Sequence, residues 1–502
     1  MRLVKFLCFT LALFVSCATA INKGAAQSGL KLAVPALPPG LGNPFTTGSI
    51  PGVDIYMSMF DGLAELHESG ELRPSLATSW EAIDALTWEF KLRQGVRFAN
   101  GKPFTADTVV QVFEILTTPE AAKWSMIREV NKISAVEAIS PTLLRVRTRS
   151  PDLMLPARFA ALLMVEPDYW RSLGAEEFAR LPIGTGPYLV QEWSAQSIEL
   201  SANTHAWRPG PTPSLDIIVV PEPSSRLAAL QTDAIDIALF MGPEDISFVE
   251  AAGGRMVSHL QGGVMGLSYI LVNDTVFSDP RVRQAMTYAV NRELIADVLF
   301  AGETEPATQA ASRLTFGYNN DLEGYRFDPD LARMLLAEAG FPDGFSFTAD
   351  VVTPQPTDAL VWQQVAADLA KVGVEMNINT MTFSRYIQGL YQGTWTGEAF
   401  GMNYGSLPAL DPMIGFQFHS CLWLKPWICD PQQTDIIERA LGEFDRDIRR
   451  SLVQELLRIT YDEPIGLYLH ERARFDAVGR RVAKYRAPFG YTSFHDIELI
   501  DD

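Results

Sequence analysis

Phe345-Ser-Phe-Thr-Ala-Asp-Val351, Val361-Trp-Gln-Gln-Val-Ala-Ala-Asp-Leu-Ala-Lys-Val-Gly373 and Val374-Glu-Met-Asn-Ile378 follow one another with short links. In the first piece Phe345, Phe347, Ala349 and Val351 alternate with their neighbours, the period of a strand. In the second, Val361, Val365, Leu369 and Val372 recur at helical spacing, and Gly373 closes the helix. Val374, Met376 and Ile378 then alternate again. A strand, a helix and a strand joined this way predict a parallel pair with a right-handed crossover, and so an α/β fold.

Upstream, Asp279-Pro280 starts a helix, with the cap followed by proline at the first helical position. Val282, Met286, Ala289 and Val298 are expected on its buried side. Asp328-Pro329 starts another, ended by Gly340. Further back, Tyr188–Trp193, Asp216–Val220 and Ile235–Leu239 read as strands, with a helix opened by Pro223 between the last two. Leu86, Trp88, Phe90 and Leu92 alternate as a half-buried strand, and Thr105 caps a helix carrying Val109, Val112, Phe113 and Leu116. Downstream, apolar residues from Ile437 to Ile459 predict one long helix over roughly Thr434 to Thr460, and Ile465 to Leu469 a return strand.

With 502 residues, the chain is too long for one core, and at least two lobes are expected. Apolar residues make up 47% and charged residues 20%, an ordinary globular composition. The formal charge of −19 disfavours nucleic acid and anionic membrane as partners. The N-terminus reads as an export signal: Arg2 and Lys5, an apolar run from Phe6 to Val15, and Ala18-Thr19-Ala20 as an A-x-A cleavage pattern. Residues 1–20 would be removed, placing the mature chain in the periplasm. The rival reading, a lipidated Cys17, is disfavoured by Phe14 three places before it. Cleavage leaves Cys421 and Cys429. Two cysteines eight positions apart in an oxidising compartment suggest one disulfide, the alternative being two buried thiols. Zinc is disfavoured, because only His419 lies near that pair.

The six histidines form no H-E-x-x-H or other metal spacing, and there is neither a G-x-S-x-G elbow nor a phosphate-cradling loop. Gly184-Thr-Gly186 reads as a tight turn before a strand. No catalytic residue, metal or cofactor is assigned. From Trp395 to Trp427, seven aromatic residues are interleaved with Asn403, Asp411 and His419 at neither helical nor strand period. Such a stretch suits either a pocket wall or a loop-rich cap whose aromatics fill core.

Four segments, in order, resemble one family. They are Leu72-Arg-Pro-Ser-Leu-Ala-Thr-Ser-Trp80 with Leu86–Phe98 and Asn100–Asp107; Ile183-Gly-Thr-Gly-Pro-Tyr188; Asp279–Met286 with Ala289-Val-Asn-Arg292; and Leu335–Phe341. Together they look like solute-binding protein family 5, the oligopeptide-, dipeptide- and nickel-binding proteins of ABC importers. The resemblance implies a two-lobed, hinged, periplasmic binding protein-like fold with an extra inserted α+β domain. Domain I would comprise 21–56, 183–265 and 465–502, domain II 57–182, and domain III 266–464. Strands near Gly262–Tyr269 and Glu463–Tyr468 would form the hinge. A monomer would capture a peptide or similar polar solute and deliver it to an ABC permease and its ATPase.

The implied pocket residues are Met402, Asn403, Tyr404 and Asp411, with Gly48, Ser49 and Ile50 from the first lobe. One departure matters. The family's peptide binders carry a G-W-x-x-D-Y-type segment whose aspartate holds the peptide's ammonium. Here the stretch is Gly401-Met-Asn-Tyr-Gly-Ser-Leu-Pro408, with no acid at Gly405 or Pro408, and Asp411-Pro412 follows. An opine-like compound or sugar conjugate is therefore an alternative ligand. A secreted hydrolase of peptides or glycosides, or a sensory protein presenting ligand to a receptor, are the alternative functions.

Overall fold

The computed structural model describes residues 29–47, 50–353 and 356–500. The export signal, Cys17, Gly48 and Ser49 lie outside these residues. The strands Phe345–Val351 and Val374–Thr380 pair in parallel over seven residues, Phe345 opposite Val374 and Val351 opposite Thr380. The helix Pro356–Ala370 joins them. Gly373, at φ +85°, makes the left-handed turn that a side chain would strain.

This pair forms one edge of a ten-stranded sheet. From that edge the order is Val374–Thr380, Phe345–Val351, Ala399–Gly405, Arg255–Tyr269, Gly466–Val478, Ile237–Met241, Leu30–Val34, Ser214–Val219, Ser197–Ala202 and Tyr188–Trp193. The two central strands are the longest, at 15 and 13 residues, and run antiparallel to each other. Both cross from one half of the molecule to the other, because their outer neighbours differ along their length. At one end they pair with Ala399–Gly405, at the other with Ile237–Met241. Their own pairing slips between Leu260 and Val264, where Gly262 takes φ +63°.

A second sheet stands apart. Ala77–Asp84, Thr87–Leu92, Leu143–Thr148 and Ile133–Ser140 pair antiparallel in that order. The helix Ala106–Leu116 lies against it, with Val109, Val112, Phe113 and Leu116 buried. At the helix start, Thr108 Oγ1 accepts a bond from the Thr105 amide at 3.1 Å. Ahead of this sheet lies a short hairpin, Ala64–Leu66 with Leu72–Pro74. The turn Gly184–Gly186 precedes the strand at Tyr188, and a Cβ on Gly186 would collide with the Met59 backbone.

Several expectations need correction. The helix expected over 434–460 is two helices, Pro431–Gly442 and Arg446–Asp462. The second has its own cap, Asp445, whose carboxylate accepts from the amides of Asp447 and Ile448. Phe444, counted with the helical stripe, leaves it and packs on Trp88 of the second sheet, with ring centroids 5.7 Å apart. Val298 is 68% exposed, because the helix from Pro280 ends at Ala289 and Asn291 caps a new turn. Leu86 lies outside its strand and is exposed, while Trp88, Phe90 and Leu92 are buried. The return strand runs on from Gly466 to Val478.

Candidate ligand site between the lobes

The first half of one crossing strand supplies Val257, Ser258, His259 and Leu260 to a cavity of about 280 Å3. The C-terminal segment Tyr485–Phe489 forms a second wall. Glu68, on the hairpin turn, and Leu314, from the segment between the crossing strands, complete it. The cavity therefore sits where both halves of the molecule and the hairpin meet.

A buried charge cluster holds the walls in register. Arg474 Nη2 donates to Asp54 Oδ2 at 2.9 Å and its Nε to Asp476 Oδ1 at 2.8 Å. Asp476 Oδ2 accepts from the Tyr485 hydroxyl at 2.9 Å, and Asp54 Oδ1 from the Thr492 amide at 2.8 Å. One guanidinium thus ties the helix Ile50–Tyr56, a crossing strand and the C-terminal segment together. Burial opposes charge on Arg474, yet Asp476 and Asp54 beside it hold its pKa above the ordinary arginine value. Burial raises the pKa of Asp54, against the pull of Arg474.

His259 lies beside this cluster, its Nε2 3.7 Å from Asp476 Oδ2. Burial pushes its pKa down to about 4, although Asp476 favours the charged form. At neutral pH the cavity is therefore lined by an uncharged imidazole. Its Nε2 is buried without a hydrogen-bond partner among the described residues.

The halves touch across the cavity mouth. Leu66, Leu410 and Phe489 are buried together, with Leu72, Leu314, Leu407 and Tyr491 packed around them. Leu66 and Leu72 come from the hairpin and Phe489 and Tyr491 from the C-terminal segment, whereas Leu314, Leu407 and Leu410 lie between the crossing strands. Ser258 Oγ also donates to Glu303 Oε2 at 2.5 Å, from one half to the other. These contacts join the two halves beside the cavity.

The residues singled out from the sequence occupy different positions. Ile50 begins the helix Ile50–Tyr56, which places Asp54 against Arg474. On the strand Ala399–Gly405 the side chains alternate: Met402 and Tyr404 are buried, Asn403 is exposed. Met402 receives the Tyr386 hydroxyl at 3.5 Å, and the Tyr404 hydroxyl donates to Leu267 O at 3.0 Å. Asn403 lies over Gly263 of the neighbouring strand. Asp411 is buried against Arg449, whose Nε also donates to Ala440 O at 2.8 Å. None of Met402, Asn403, Tyr404 and Asp411 lines the cavity; three of them are buried, and Asn403 is the one exposed side chain of the four.

The aromatic stretch packs on itself. Trp395 stacks on Phe400 at 3.9 Å, and Phe400 meets Trp427 at 5.0 Å. Tyr404 stacks on His419 at 4.8 Å. His419 Nδ1 meets Gly415 O at 2.9 Å, and its Nε2 meets Ser268 Oγ at 3.0 Å, which also accepts from Trp427 Nε1. Of the two roles open to this stretch, it fills core. Cys421 and Cys429 form a disulfide at its edge. Glu68, His259, Tyr485 and Phe489 were not singled out from the sequence. The one usable signal was position: His259 and Leu260 directly precede the expected hinge strand.

Among the described residues there is no group of three histidine, cysteine, aspartate or glutamate side chains set to hold a metal, and no helix long and apolar enough to cross a membrane.

Two halves joined by paired crossing strands, with a cavity between them, are the layout of a ligand-binding protein. The sequence profile of bacterial extracellular solute-binding proteins, family 5, matches residues 71–419, and the chain belongs to that family. It is 26% identical over 467 residues to the haem-binding protein A of Haemophilus influenzae, covering 86% of this chain and 85% of that one. It is 27% identical over 481 residues to the dipeptide-binding protein of Escherichia coli, covering 86% of each. The structure of NikA from Brucella suis with Fe(III)-EDTA superposes with a TM-score of 0.81, over 94% of this chain and all of that one, at 19% identity. The chain is the substrate-binding component of an ABC importer.

Proposed function

We propose that this protein captures a peptide or peptide-like polar solute in the periplasm, as a monomer, in the cavity beneath His259 and Phe489. The single observation that carries this reading is the cavity itself, placed between the two halves and walled by both. Its volume of about 280 Å3 lies at the lower end of small-molecule sites, which run from roughly 300 to 1,000 Å3. That size favours a short peptide, an opine or a small sugar conjugate over a macrocycle such as haem.

The domain division that accompanies this function is 21–56 with 183–265 and 465–502, then 57–182, then 266–464. The handover of the crossing strands from one set of neighbours to the other supports it. Residues 1–20 are the cleaved export signal. The sequence also offers Gly48, Ser49 and Ile50 from the first lobe and Met402, Asn403, Tyr404 and Asp411 from the far lobe as contacts, and of the latter four Asn403 has the exposed side chain.

Binding is non-covalent. A ligand that touches both halves stabilises the closed form only by as much as it prefers that form. The permease then reads the closed surface. Isothermal calorimetry with a dipeptide, opine and sugar panel tests this reading. Saturable one-to-one binding by a member of the panel, lost in a variant that fills the cavity such as Ala487→Trp, supports it. Binding that Ala487→Trp leaves unchanged contradicts it.

A further inference from the structure

Another cavity, of about 270 Å3, lies wholly in the far half and shares no lining residue with the one beside His259. Residues 291–293, 306–308 and 324–327 line it. Arg292, one of them, is 3% exposed. Its Nε donates to Tyr468 O at 2.5 Å, and its Nη1 to Thr287 O at 2.7 Å and Val290 O at 3.3 Å. Its Nη2 is buried without a hydrogen-bond partner among the described residues. The guanidinium carbon stands 5.3 Å from the ring centroid of Tyr325, which also lines the cavity.

Other buried arginines face acids. Arg474 has Asp54 and Asp476, Arg449 has Asp411, and Arg158 has Glu129 and Asp152. Arg292 forms no ion pair among the described residues. Burial pushes its pKa down to about 10, so it stays a cation at neutral pH, and the groups that favour its charge are the hydroxyls of Tyr325 and Tyr269. Two further charged side chains line the cavity. Arg326 is paired with Asp328 at 2.8 Å, and Glu293 is exposed and makes no ion pair with Arg292.

From this arrangement we infer that the far half holds a second ligand site, which takes a small organic carboxylate. The inference does not rest on the cavity beside His259 being the solute site. A buried cation with an unused donor lacks one negative charge and one acceptor. A carboxylate supplies both, through a charge-assisted bond to Nη2. One cation neutralises a monoanion, whereas a phosphate dianion would keep uncompensated charge beside Pro306, Ala307 and Phe327. Those apolar side chains suit a short hydrocarbon body. A neutral ligand of the same shape would leave the guanidinium without its counter-charge.

The test uses the full-length protein at constant ionic strength, with butyrate, butyramide and inorganic phosphate as probes, followed by thermal shift and calorimetry. Arg292 also ties Tyr468, Thr287 and Val290 together, so the variant is Gly324→Phe, which fills the cavity and leaves the arginine in place. A side chain at Gly324 begins 4.0 Å from Thr308 Oγ1 and meets nothing nearer. Butyrate should raise the melting temperature saturably, and butyramide should bind roughly 10-fold more weakly or worse. Gly324→Phe should weaken butyrate binding by roughly 10-fold or more, while Ala487→Trp, in the cavity beside His259, should leave it unchanged. Equal binding of butyrate and butyramide, or of butyrate and phosphate, overturns the assignment. So does butyrate binding that survives Gly324→Phe or that Ala487→Trp abolishes, and so does a protein that binds no butyrate.

Discussion

Leu410 is the residue on which closure can be measured. It is 2% exposed, and that burial comes from contact between halves: Leu66 and Phe489 lie on one side and Leu407 on its own. Its Cδ1 lies 3.2 Å from where a Gly70 side chain would begin. Leu410→Ala removes three carbons from this contact. At about 0.8 kcal/mol per buried methylene the closed form loses about 2 kcal/mol relative to the open one. The closed-to-open ratio should then fall roughly 30-fold. Alanine is the right replacement, because Leu410 has φ +49° and glycine would also relieve that backbone. The loss divides between two readouts. If the ligand-free protein is mostly closed, small-angle scattering shows the variant expanded. If it is mostly open, calorimetry shows ligand affinity down by about the same factor. An unchanged scattering curve together with unchanged affinity would refute the role given to this contact.

Removing the Asp411 carboxylate as Asp411→Ala leaves Arg449 charged and buried, and should cost about 3–5 kcal/mol in denaturant-measured stability. Reduction of the Cys421–Cys429 disulfide, which closes a short loop, should cost about 2–3 kcal/mol, read as a lower melting temperature in dithiothreitol. Burial holds His259, His419 and His470 each at about pH 4 in the folded protein, below the usual 6.5. The unfolded chain therefore binds more protons between those values, and each histidine withdraws up to about 1.4 kcal/mol of stability per pH unit as pH falls from 6.5 toward 4. In urea titrations the variant His419→Gln should lose less stability than the parent over that window. A parent and variant with parallel pH dependence would contradict the buried neutral state.

The parts of the fold legible in the sequence are those written locally. The β-α-β unit at 345–380 follows from a change of apolar period, and the helices at Pro280 and Pro329 from an aspartate cap followed by proline. The break at 443–445 was hidden because Phe444 is apolar at the right spacing while serving the contact with Trp88. The crossing strands were longer than expected because Arg255–Leu260 is half-buried on both faces and so does not alternate. The cavity was illegible for a different reason. Glu68, His259, Leu314 and Phe489 lie far apart in the chain and meet only through the pairing of the crossing strands. The aromatic stretch drew attention by composition, but strand alternation turns Met402 and Tyr404 inward and leaves Asn403 outside.

The trapping of a solute between the halves is tested most directly by a crystal structure of the protein with the solute that co-purifies with it, identified by mass spectrometry from the same sample. A jaw closed on its solute predicts density for one small molecule enclosed between His259, Glu68 and Phe489, touching both halves. Density for the solute within one half alone, or on the outer surface with the cavity holding only water, would contradict it.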